Sequence, residues 1–185
     1  MMFTIRSGSM TAVIDSVGAQ LMSLQSVDGT QYLWQGDPKY WPDRSLTIFP
    51  YVARLTDGCY RYRGELYHMP IHGFAPTAEF SVAEQTDAAI TFVLESCPAF
   101  YEQYPFLFRY SIRYRLENAT LHVEITVENK DEKTMYFGLG GHPGINVPLE
   151  KGLCFEDYVL EFPPCQPRRV EFTPACFITG RELPF

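Results

Sequence analysis

Apolar and polar side chains alternate along much of this chain with the period of two that belongs to β-strands. The longest example runs through residues 106–128. Phe106, Phe108, Tyr110, Ile112, Tyr114 and Leu116 fall on one face, with Arg109, Arg113 and Arg115 opposite. After Glu117-Asn118-Ala119-Thr120, a segment of turn-forming residues, the alternation resumes. Leu121, Val123, Ile125 and Val127 share one face, and His122, Glu124, Thr126 and Glu128 share the other. The pattern predicts a β-hairpin. Shorter stretches predict strands at residues 11–15, 21–26, 59–68, 79–84, 89–95, 135–139, 157–162 and 169–172. Asp28-Gly29, Asp57-Gly58, Arg63-Gly64 and Pro163-Pro164 punctuate them. No long window shows the 3.6 period of a helix, and 14 prolines argue against long helices. Many short, closely spaced strands predict an all-β sandwich or barrel. With no repeat and no linker, residues 1–185 read as one domain.

Composition narrows the partners. A chain of 185 residues, 46% hydrophobic, is long enough to bury a sizeable core. Its net charge of −7 repels phosphate backbones, so no nucleic-acid partner is expected, while neutral small molecules fit. The opening MMFTIRSGSM lacks the basic region and apolar run of a signal peptide. No stretch reaches the roughly 20 apolar residues of a membrane helix. A cytoplasmic protein that does not engage a membrane is the expectation. Cys59, Cys97, Cys154, Cys165 and Cys176 are odd in number and form no C-x-x-C, which predicts reduced structural thiols.

Three segments break the alternation: Phe49-Pro50-Tyr51-Val52-Ala53-Arg54-Leu55, Pro70-Ile71-His72-Gly73-Phe74, and Gly138-Leu139-Gly140-Gly141-His142-Pro143-Gly144-Ile145-Asn146. Each sets a His or Arg beside Gly or Pro, where backbone can approach a ligand closely. His68 and His72 have the spacing of a helical metal pair, but Pro70 stands between them, so no metal site is expected. His68 is expected to be structural and His122 exposed. The glycines before His142 suggest a phosphate loop, yet His142-Pro143 is poorly suited to open the helix such a loop requires. For His72 and His142, spacing alone leaves a hydrogen-bonded loop histidine and a functional one both open.

In order along the chain, Phe49-Pro50 to Arg54-Leu55, His72-Gly73-Phe74, and Gly141-His142-Pro143 with Asn146 resemble the motifs of aldose 1-epimerases. Gly18-Ala19-Gln20-Leu21, Tyr32-Leu33-Trp34 and Tyr40-Trp41 resemble that family's first strands, in its bacterial galactose mutarotase-like branch. The resemblance implies an antiparallel β-sandwich, the galactose mutarotase-like supersandwich, with a sugar cleft on a concave face. It implies an isomerase that interconverts the α and β anomers of a free aldohexose by acid–base ring opening, without cofactor or metal. By the family pattern His142 is the acid, His72 hydrogen-bonds the sugar near its ring oxygen, and Arg54 binds hydroxyls. Phe74 or Trp41 would pack on the sugar's apolar face or belong to the core. Ala53 stands where the family has a glycine, and Pro76 where it has an arginine. The resemblance also implies a longer chain, whose later part carries the catalytic glutamate and a sugar-binding aspartate. Glu161, Glu171 and Glu182 lack that motif context. Two alternatives stay open: a non-catalytic carbohydrate-binding relative, and a hexose-6-phosphate 1-epimerase, for which the isolated arginines are a poor phosphate site. A sandwich incomplete relative to the family exposes strand edges, so self-association is expected.

Overall fold

A computed structural model describes residues 1–175 and 177–184 of the chain. Strands dominate. β1 (Met2–Arg6), β2 (Met10–Asp15) and β3 (Leu21–Ser26) form one antiparallel sheet in sequential order. β4 (Ser45–Ile48) follows, then the hairpin of β5 (Cys59–Tyr62) and β6 (Glu65–His68). β7 (Ser81–Gln85), β8 (Ala89–Glu95), β9 (Phe108–Glu117) and β10 (Thr120–Asn129) make a second sheet, ordered β10-β9-β8-β7. β11 (Gly140–Pro143) returns to pair with β4, and β12 (Arg169–Phe172) pairs with β13 (Ile178–Leu183). This is the all-β class that the alternation predicts, with the antiparallel pairing that the resemblance implies.

The β9–β10 hairpin shows why. Its register sets Tyr114 opposite Val123, Ile112 opposite Ile125 and Tyr110 opposite Val127, so both apolar rows face the same way. Asn118 closes the turn at φ 53°, a left-handed conformation that Asn tolerates. Every member of the row Phe106 to Leu116 is buried. The first sheet's Ile5, Ala12 and Ile14 join these residues in one core, and Phe3 meets Phe92 edge-on at 5.5 Å. The buried Tyr114 hydroxyl is satisfied by the Ala19 carbonyl at 2.8 Å. Tyr110 is buried with a hydroxyl that finds no partner among the described residues.

Two predicted strands do not form. Residues 135–139 join no sheet: their backbone bonds go singly to loops, Gly138 N–H to the Pro50 carbonyl and the Tyr136 carbonyl from the Tyr104 hydroxyl. Residues 157–162 begin on a 3-10 turn at Phe155–Asp157, and Val159, Leu160 and Phe162 stand exposed and pair with no strand among the described residues. Conversely β1, β4, β11 and β13 are strands that the alternation does not single out. His68, expected to be structural, lies exposed at the end of β6. His122 is half-buried on β10, its Nε2 3.4 Å from Glu117. Cys59, Cys97, Cys154 and Cys165 are free thiols, and Cys176 lies outside the described residues.

Candidate active site

The three irregular segments converge. β4 runs directly into Phe49-Pro50, and its partner β11 carries His142, which sits opposite Leu46. Phe49 also bridges in parallel to Gly73, next to His72. Two pairings to the continuous stretch from Ser45 to Phe49 therefore bring His72 and His142 together. Their ring centroids are 5.7 Å apart and their planes 66° apart.

Gly73 makes the first pairing possible. It has φ 76°, and a Cβ there would sit 2.6 Å from the Phe49 carbonyl carbon and closer still to its oxygen. Phe49 cannot yield. It is fully buried, stacked on Tyr110 at 4.6 Å and edge-on to Phe108 at 5.1 Å.

His72 is clamped to Ala53. Its backbone N–H donates to the Ala53 carbonyl at 2.9 Å, and the Ala53 N–H donates back to His72 Nδ1 at 3.2 Å. A ring nitrogen that accepts carries no proton, so the neutral ring's hydrogen is on Nε2. That leaves His72 with one outward donor. Burial holds its pKa below the ordinary 6.5, and the charge His142 carries when protonated adds repulsion. Both residues of the clamp have left-handed backbones, His72 at φ 66° and Ala53 at φ 71°. The Ala53 conformation gives a physical reason for the glycine of the family pattern.

His142 is exposed, and the Trp41 indole lies beside it at 4.9 Å with a 45° tilt. Among the described residues no three His, Cys, Asp or Glu side chains come together as metal ligands.

The sequence model of the family described as aldose 1-epimerase matches residues 1–173. This chain belongs to the aldose 1-epimerase family. It is 32% identical to protein LacX (plasmid) of Lactococcus lactis subsp. lactis over 170 residues, covering 88% of this chain and 56% of that protein. A galactose mutarotase related enzyme from Lactobacillus acidophilus superposes with a TM-score of 0.82 at 38% identity, over 85% of this chain and 53% of that one. A galactose mutarotase-like protein from Lactobacillus casei ATCC 334 gives 0.85 at 31%, over 98% and 63%. The fold is thus galactose mutarotase-like, and the chain spans about half the length of the relatives it matches.

Within this family member the remaining motif residues separate. Phe74 is 4% exposed, stacked on Phe100 at 4.5 Å and edge-on to Phe49 at 6.0 Å. It is a core residue; its ring is enclosed by aromatic neighbours and has no face left for a sugar. Asn146 is a clip: its Nδ2 donates to the carbonyls of Gln31 and Leu33 at 3.0 and 2.9 Å. Pro76 belongs to a 3-10 turn, Ala75–Thr77, packed over Gly18. Arg54 follows Ala53 in the chain but extends over a depression with Leu55, Asp57, Ala175 and Phe177. An aromatic depression of 530 Å³ borders the same loop at Pro50, Tyr51 and Val52, and neither His72 nor His142 lines it. Sequence reading passed over the Ala53 amide as an orienter of His72; a backbone donor leaves no side-chain signal to find.

Proposed function

We propose that this chain binds a free aldose across His72 and His142 and uses them in the interconversion of its α and β anomers. The observation that supports this reading is the paired imidazoles: one clamped with an outward Nε2–H, the other open to solvent beside an indole.

Ring opening takes a proton from the anomeric hydroxyl and delivers one to the ring oxygen, so it needs groups in different protonation states. His72 is suited to stay neutral, since burial disfavours its charged form and Nδ1 is occupied as an acceptor. Its Nε2–H donates to the sugar near the ring oxygen. His142, unclamped and accessible, carries the proton that passes to that oxygen as the C–O bond breaks. Rotation of the aldehyde and closure give the other anomer, as the ring oxygen's proton returns to His142 and the base gives its proton back to the anomeric oxygen. By family resemblance Arg54, next to Ala53 in the chain, would bind sugar hydroxyls through its fork of donors, which requires its side chain to turn from the depression it lines. The base is, by family resemblance, a glutamate from the part of the family's length that this chain does not span.

Polarimetry of freshly dissolved α-D-galactose or α-D-glucose tests the reading. A protein of the family's length that contains this chain is expected to speed the decay of rotation above the spontaneous rate, and His142→Asn to remove on the order of 100-fold of that effect. A decay no faster than the spontaneous one defeats the catalytic claim. Calorimetric aldose binding that His72→Ala abolishes would then mark a carbohydrate-binding relative.

A further inference from the structure

We propose that Trp41 is the positioning residue for His142: its indole, seated on Gly144, fixes the direction of the imidazole. The inference rests on the acid role proposed above for that residue.

The two histidines are held differently. Among the described residues, the one hydrogen bond to a histidine ring is that from Ala53 to His72. No such bond orients His142, which lies exposed on a short strand. Its ring is flanked instead by two others, Trp41 at 4.9 Å and His72 at 5.7 Å. An exposed side chain with two free torsions samples several rotamers unless something excludes them. Packing against a neighbouring aromatic ring excludes some of them and so favours one.

Trp41 can do this because it is itself immobilised. Its N–H donates to the Asp37 carbonyl at 2.9 Å, and its carbonyl accepts the Trp34 indole N–H at 2.8 Å. Gly144, two residues past His142, provides the seat. A Cβ there would lie 3.0 Å from Trp41 Cζ3 and 2.8 Å from Trp34 Cβ, so only hydrogen lets the indole settle. Gly144 is pinned in turn: its N–H donates to the Arg44 carbonyl at 2.7 Å and its carbonyl accepts from Trp34 N–H at 2.9 Å. The segment 34–44 thus carries an anchored ring to the imidazole. A proton donor must lie within hydrogen-bond reach of the atom it protonates, and a misplacement of about 1 Å costs on the order of 100-fold.

The test compares Trp41→Leu with Trp41→Phe by two readouts. In imidazole-detected NMR, the ring-current displacement of the His142 Hε1 and Hδ2 resonances should vanish in Trp41→Leu, return in large part in Trp41→Phe, and change little at His72. In polarimetry of a family-length protein that contains this chain, kcat should fall roughly tenfold to 100-fold in Trp41→Leu with KM nearly unchanged, and recover in Trp41→Phe. Unchanged His142 resonances in Trp41→Leu overturn the proposal. So does a rise in KM at constant kcat, which would make Trp41 a sugar contact. If the unsubstituted family-length protein shows no mutarotation while the NMR effects occur, the positioning stands and the reaction assigned to His142 falls.

Discussion

Gly73→Ala attacks the pairing that brings the two histidines together. Two effects add. An L residue at φ 76° carries about 1–2 kcal/mol of left-handed strain. The new methyl also overlaps the Phe49 backbone, which is anchored by a ring buried among Tyr110, Phe108 and Phe74. Forcing atoms into such a place costs a further ~1–3 kcal/mol. The total, roughly 2–5 kcal/mol, is a large part of the 5–15 kcal/mol that holds an ordinary domain together. Gly29→Ala is the control: it has φ 90° and open space around its Cβ, so it should carry strain alone. With a urea m-value of about 2 kcal/mol/M, Gly73→Ala should lower the midpoint by about 1–2.5 M and Gly29→Ala by about 0.5–1 M. Circular dichroism melts in urea read both. Equal midpoints for the two variants would refute the reasoning, because the Phe49–Gly73 contact would then have to be absent.

Three other outcomes are expected. His72 titrates below 6.5 when folded, so the unfolded chain binds more protons between the two pKa values; its contribution to stability is complete above pH 6.5 and is lost as pH falls through the folded value, and His72→Gln should flatten that part of the stability–pH curve. Tyr110→Phe removes a buried hydroxyl with no partner among the described residues and should raise stability by about 1 kcal/mol in chemical denaturation; a loss of that size would mean the hydroxyl is bonded. We propose that the edge of β10, which pairs with no further strand among the described residues and lies beside an open apolar groove of 430 Å³, drives self-association; light scattering should show oligomers that Val123→Lys disperses, Val123 being 48% exposed, and a monomer in both chains would refute it.

The hairpins were legible in the sequence because their information is local. Alternation along residues 106–128 states which side chains share a face, and the register of β9 with β10 follows from aligning the two apolar rows. The all-β class follows from repetition of that signal. Where a segment has no alternation, as in Gly140–Pro143, or has it without a neighbour to pair with among the described residues, as in residues 157–162, the same reasoning failed. Strand formation there depends on what lies across the ladder.

The motifs around His72 and His142 identified the family, but not how the two rings meet. They are 70 positions apart in the chain, and two separate pairings to the stretch from Ser45 to Phe49 close that distance. The fates of their neighbours were likewise tertiary. Phe74 and Trp41 were equal candidates for a sugar face on side-chain chemistry alone. Packing enclosed Phe74 among Phe49, Phe100 and Phe108 and set Trp41 against His142. Residue type determined what each side chain is able to do; burial and contact, which come from residues distant in the chain, decided which of them is placed to do it.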